Sequence, residues 1–227
     1  MKKKTKKRIK IKSLLIVLVF ILIISLSIYY YSTLKITNIY VTGNKILRES
    51  DIIKEVELDN YPNIYKVNEY KIKEKLLLNP LIKSVKVKKT FLGKVIIEIE
   101  ENIPIIKDID GKYILNSGEK INSESKYNVP SLINEVDSDI YNNFIKGFSK
   151  VSNDILIKIS EIKYDKTDLD KERFLLLMND GNYVYITLSR IELVNSYNEI
   201  YPTLDNNKGI LHLDSGNHFE IKNKINN

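Results

Sequence analysis

The stretch Ile36-Thr-Asn-Ile-Tyr-Val-Thr-Gly-Asn44 decides how the chain is to be read. Apolar and polar residues alternate up to Val41, the period of a half-buried strand, and the pattern stops at Thr42-Gly43-Asn44. A phosphate-gripping loop would bring more glycines and a helix starting directly after them. Here Lys45 to Glu49 intervene and one glycine is available. Gly43-Asn44 is therefore read as a tight turn, of the kind that takes a positive φ, ending a first strand that contains Ile36, Ile39 and Val41.

Immediately upstream lies the most apolar run of the chain. Ser13 to Leu34 carries no charged residue. As a helix these residues would span roughly 33 Å, against a hydrocarbon core of about 30 Å. The run is longer than the apolar part of a cleavable signal, and no small-residue cleavage site follows it. It exits through Tyr29, Tyr30 and Tyr31, and tyrosine favours the membrane interface. Residues 13–34 are thus expected to be a retained transmembrane signal anchor. The net charge of +7 points to the same place, because eight of the 36 lysines and arginines lie in residues 1–12 with no acid. The remaining 28 bases face 29 acids, so the body is near neutral and a nucleic-acid-binding domain is not expected. Short basic flanks stay in the cytoplasm, which predicts that residues 1–12 are a cytoplasmic tail and residues 35–227 face outward.

Downstream, Ser50-Asp51 offers an N-cap before Ile52, Ile53 and Val56 on one helix face. Asn68-Glu69 starts a second helix, with Ile72, Leu76 and Leu77 inward, that Asn79-Pro80 stops. Val85–Lys88, the turn Thr90–Lys94 and Val95–Glu100 read as a hairpin. Val95, Ile97 and Ile99 face in, and Lys86 and Lys88 attract Glu98 and Glu100 across the surface. The order is β-α-α-β-β, with the helices on one face of a small sheet.

That order, directly after an anchor, resembles a POTRA domain, in particular that of the bacterial division family FtsQ/DivIB. The matching residues are Ile36, Ile39, Val41, Gly43 and Asn44, then Asn79-Pro80-Leu81-Ile82-Lys83-Ser84-Val85, then Val95 through Pro104. Phe91, Leu92 and Gly93 stand where many members have Trp-Pro, and Glu101-Asn102 where they have Glu-Arg. Residues 35–103 are accordingly expected to form the POTRA domain.

Residues 104–221 show further strand signals: Lys112–Leu115, Ile155–Ile159, and the pair Arg173–Met178 and Tyr183–Thr187 around the hairpin turn Asn179-Asp180-Gly181-Asn182. Ser138–Val151 reads as a helix, and so does a segment from Ser189 carrying Ile191, Val194, Tyr197, Tyr201 and Leu204 on one side. Ile210–Asp214, the turn Ser215-Gly216-Asn217 and His218–Ile221 close the chain as a hairpin. The succession resembles the FtsQ/DivIB β domain, and residues 222–227 are expected to be a disordered tail. The fold class expected is α+β: one N-terminal transmembrane helix, a POTRA domain, then a mixed β domain with flanking helices.

Catalytic patterns are weak. Four Ser-x-x-Lys matches occur, at Ser32, Ser117, Ser123 and Ser160, and no Lys-Thr-Gly follows any of them. Glu98 and Glu100 alternate on a solvated strand face, unlike a glycosidase pair. The two histidines, His212 and His218, flank a turn without further spaced ligands, and cysteine is absent. No catalytic residue, cofactor or metal is expected.

A strand at a sheet edge instead offers unpaired main-chain groups to which another chain can add. The resemblance implies that the last strand, His218, Phe219, Glu220 and Ile221, supported by Tyr201 and Leu204, binds the small membrane partner FtsB (DivIC). FtsL completes the trimer, and the assembly helps control septal peptidoglycan synthesis by FtsW and its penicillin-binding partner. Two readings of Phe219 and Ile221 stay open, docking a partner or only closing a core. At the level of the whole chain, the alternatives to a non-enzymatic divisome scaffold are an anchored POTRA protein handling secreted polypeptides and an anchored cell-wall enzyme.

Overall fold

The computed structural model describes residues 11–90, 92–205 and 207–222. Phe91, most of the basic tail and the C-terminal tail from Asn223 therefore lie outside the described residues. The chain divides into two compact units, Met1–Glu101 and Asn102–Asn227.

The first unit opens with helix α1, Ile11–Thr33, 23 residues that are mostly apolar and none of which is buried. Such a helix is long and apolar enough to cross a bilayer. Strand β1 (Asn38–Thr42) follows, then α2 (Glu49–Glu55), α3 (Glu69–Leu76), β2 (Ile82–Lys89) and β3 (Lys94–Glu101). The sheet order is β1-β3-β2, with β1 parallel and β2 antiparallel to the central β3. Because β3 is central, its inward phase carries the most buried residues. Val95 and Ile97 are fully buried, and with Ile99, Ile52, Ile72, Leu76 and Val85 they form one core. Asn68 caps α3 with its side chain, accepting from the Tyr70 and Lys71 amides at 3.0 and 3.2 Å.

Three local expectations change. The N-cap of α2 is Arg48 and not Ser50-Asp51; Glu49 and Asp51 fall within the first turn, where their charge favours the helix dipole. Leu77 is exposed, since α3 ends at Leu76 and the C-cap residue lies a further 100° round the helix. On the sheet surface Lys86 sits opposite Glu98, but the ion pair on this face is Lys83 to Glu100 at 2.7 Å. An irregularity between Ile82 and Ser84 turns Lys83 to that side.

The second unit is a nine-stranded mixed sheet with helices packed into its core. Its strands are β4 (Pro104–Lys107), β5 (Tyr113–Leu115), β6 (Lys120–Ile121), β7 (Ser131–Leu132), β8 (Ile159–Tyr164), β9 (Arg173–Met178), β10 (Tyr183–Thr187), β11 (Gly209–His212) and β12 (His218–Ile221). Their spatial order is β12-β11-β10-β9-β8-β7-β4-β5-β6. Helix α4 (Ser138–Phe148) buries Ile140, Phe144, Ile145 and Phe148, and the Phe144 ring stacks on Phe174 of β9 at 5.0 Å. Alternate residues of β9 and β10 (Phe174, Leu176, Met178, Val184 and Ile186) join this core.

Ile155–Ile159 is not a strand. Asn153–Leu156 forms a helical turn, α5, that buries both Ile155 and Leu156, and the strand starts at Ile159. A run that buries two consecutive side chains suits a helical turn better than a pleated strand. The segment after β10 is also not one α-helix. It runs as a 3₁₀ helix over Leu188–Ser196, a single α turn α6 (Tyr197–Ile200), then 3₁₀ again to Leu204. Ile191, Val194 and Tyr197 recur every third residue, which is the 3₁₀ period. This crossover carries the chain back across the sheet, so that β11 runs parallel to β10.

Candidate docking edge

Strand β12 is an edge strand of its sheet, and among the described residues its one partner strand is β11. The register pairs Gly209 with Ile221, Ile210 with Glu220, Leu211 with Phe219 and His212 with His218. The Lys222 amide donates to the Lys208 carbonyl at 2.9 Å. In an antiparallel ladder every second pair is hydrogen-bonded, so the bonded pairs are 208/222, 210/220 and 212/218. The amide and carbonyl groups of Phe219 and Ile221 consequently point away from β11, to the open side.

Side chains alternate across the same strand. Phe219 is half-buried and packs against the core, while Ile221 on that face is 53 % exposed. His218, Glu220 and Lys222 project to the other face, where Leu175, Tyr183, Tyr185, Ile210, Glu220 and Lys222 line a groove of about 270 Å³. Gly209 lets β12 approach: a Cβ there would lie 2.0 Å from the Glu220 carbonyl oxygen. Leu204, at the end of the crossover, is buried. Tyr201 is half-buried, stacked on Tyr197 at 6.0 Å with Lys208 over its ring.

The two histidines do come together. Their rings stack at 4.5 Å and 5°, and His212 stacks in turn on Tyr185 at 5.4 Å. The Arg173 guanidinium covers Tyr185 from 3.6 Å, completing a column of planar groups that runs from β9 to β12. Arg173 donates to Asp214 at 2.8 Å and to Asp165 at 3.1 Å, and Arg190 donates to the Asp214 carbonyl and to Asn217. Burial acts to raise the Asp214 pKa, but Arg173 and the Ser215 amide outweigh it and hold the carboxyl below its ordinary value. No group of three or more metal-ligating side chains occurs among the described residues.

In the first unit, Gly43 has φ +86°, and a Cβ there would sit 1.9 Å from the Ile99 carbonyl oxygen. Asn44 donates to the Leu47 carbonyl at 3.0 Å. The loop is then held by a residue that sequence reasoning passed over. Glu101, 7 % exposed, accepts from the amides of Lys45, Ile46 and Leu47 at 2.9, 2.8 and 2.9 Å. A signal existed, because Glu101 continues the inward phase of Val95, Ile97 and Ile99. Ile36 is buried but lies ahead of the first strand, which starts at Asn38 and not at Ile36; Ile39 and Val41 within it pack half-buried against the same core. Tyr29 and Tyr30 are exposed at the end of α1, while Tyr31 meets Tyr65 edge-on at 5.6 Å.

Among the described residues, one helix apolar enough to cross a bilayer, a three-stranded β-α-α-β-β unit and a nine-stranded sheet that ends at β12 on one side and β6 on the other define the class: a single-pass membrane protein with a POTRA domain and a β domain. Residues 34–102 match the sequence model described as "POTRA domain, FtsQ-type". Cell division protein DivIB of Listeria monocytogenes is 30% identical over 204 residues, covering 86% of this chain and 76% of the relative. DivIB of Bacillus subtilis is 28% identical over 197 residues (82% and 74%), and that of Geobacillus kaustophilus 28% over 202 residues (85% and 77%). The chain belongs to the DivIB family of cell division proteins.

Proposed function

We propose that the chain is a non-enzymatic, bitopic scaffold of the divisome, with residues 13–34 as anchor, 35–103 as POTRA domain and 104–221 as docking domain. The basic flank stays in the cytoplasm, and the two folded units face outward and gather at the division septum. There the chain binds FtsB/DivIC-like and FtsL-like bitopic proteins, and through them helps assemble or regulate septal peptidoglycan synthesis by FtsW and its penicillin-binding partner. The family resemblance supplies these partners. The observation that carries the reading is the open rim of β12, where the main-chain groups of Phe219 and Ile221 point outward beside a half-exposed apolar face.

Two measurements test it. A fluorescent fusion of the full chain should concentrate at midcell, and a uniform membrane signal would refute the division role. For the edge, Ile221→Pro removes an outward donor and leaves the β11–β12 ladder intact, since proline is tolerated where its missing N–H would face solvent. It should abolish co-purification of the DivIC-like partner while exchange protection of β11 is kept. Glu220→Pro, by contrast, breaks the ladder itself and should lose both. Undiminished co-purification with Ile221→Pro would rule out this edge.

A further inference from the structure

The side chains along the open rim form an ordered sequence of chemistries. On the helix-free face β12 presents a ring (His218), an anion (Glu220) and a cation (Lys222) at alternate positions. His218 is the exposed end of the stacked column Arg173–Tyr185–His212–His218, so among the described residues no strand lies beyond its outer ring face. Glu220 is 67 % exposed and lies 3.5 Å from His212; Lys222 rests over the Tyr183 ring at 5.5 Å. Phe219 and Ile221, between them, continue the apolar face.

A strand added to this rim places its side chains about 4.5–5.5 Å from those of β12, on matching faces. That distance is right for ring stacking on His218 and for ion pairs with Glu220 and Lys222. Resting on the strand-addition reading above, we infer that β12 selects its partner by a five-position pattern. Read antiparallel to β12, the orientation that sheets favour, the partner strand runs acidic, apolar, basic, apolar, aromatic. The acid faces Lys222, the base faces Glu220 and the aromatic ring extends the column beyond His218. The two apolar residues cover Ile221 and Phe219 and take their exposed surface out of water.

The test uses the full chain in detergent micelles and two labelled synthetic peptides. One has a centre running glutamate, valine, lysine, valine, tyrosine; the other has the glutamate and lysine exchanged. Binding is read by fluorescence anisotropy at low salt. The matched peptide should bind about tenfold more tightly, because two cross-strand pairs change from attraction to repulsion in the exchanged one. The preference should invert in the Glu220→Lys, Lys222→Glu double variant, and His218→Ala should weaken the matched peptide in particular. Equal affinity of both peptides overturns the pattern and leaves strand addition standing. Binding of neither peptide overturns strand addition at β12, and the pattern with it.

Discussion

Each unit of this protein fixes a turn beside a strand end with a buried carboxylate, and the two do so differently. In the POTRA unit Glu101 reaches back 56 residues in sequence to take three consecutive main-chain amides, Lys45 to Leu47. In the β domain Asp214 is gripped by the side chain of Arg173 from β9, while Arg190 holds its carbonyl and Asn217. An amide cradle fixes a loop in place whatever side chains the loop carries. A guanidinium clamp instead ties the β11–β12 turn to a strand two positions away and leaves the outer rim of β12 clear. The first arrangement holds a loop through its main chain; the second ties the last hairpin to the sheet without using the outer rim of β12.

The comparison breaks most visibly at Gly43. Gly43→Ala must adopt a positive φ and place its Cβ 1.9 Å from the Ile99 carbonyl oxygen. The clash is with backbone of the central strand, so it cannot be relieved by a rotamer change. We expect a loss of about 4 kcal/mol or more, seen as collapse of hydrogen-exchange protection across β1 and β3. The β-domain strands should keep theirs, since each unit has its own core.

Next in size is Glu101→Ala, which takes the acceptor away from three part-buried amides. The expected cost is about 3 kcal/mol, again read locally as faster exchange of the Lys45, Ile46 and Leu47 amides. Glu101→Gln keeps one carbonyl oxygen but turns an NH₂ toward amide donors, so it should recover part of the loss. If alanine and glutamine were both neutral, the cradle would not be what holds the loop.

How much of this was legible follows from the range over which each feature is determined. The long apolar helix, the β-α-α-β-β order and the hairpins around Gly181 and Gly216 rest on local periodicity and turn residues, and the structure has them. Ile155-Leu156 was misread because a short apolar run does not distinguish a strand from a helical turn. The segment from Ser189 reads as a helix, but a three-residue spacing is compatible with either helix type, so the sequence does not reveal that most of it is 3₁₀. Glu101 and Arg173 act through contacts with residues far away in sequence. Glu101 did break the apolar phase of β3, which marks it afterwards as a residue needing partners. Nothing in the residues around Arg173 announces Asp214, 41 positions on. The edge strand itself was legible as the last strand, whereas which of its groups face outward needed the register.

The smallest expected effect separates the two carboxylates by charge. Asp214→Asn keeps an oxygen to accept from Arg173 but removes the opposite charge beside a side chain that is only 17 % exposed. At neutral pH this should cost about 2 kcal/mol, seen as faster exchange in the β11–β12 turn. The Asp214 carboxyl is held below its ordinary value in the folded chain, so the folded state binds the proton less readily than the unfolded state does. Its stabilising contribution is therefore complete above the ordinary aspartate value near 4 and is lost as the pH falls through the depressed folded value. The difference between wild type and Asp214→Asn should accordingly narrow on acidification, measured as exchange protection of the turn at neutral pH and near pH 3. A difference that stayed constant with pH would mean that the charge on Asp214 contributes nothing, and that the clamp holds the turn only by the geometry of its hydrogen bond to Arg173.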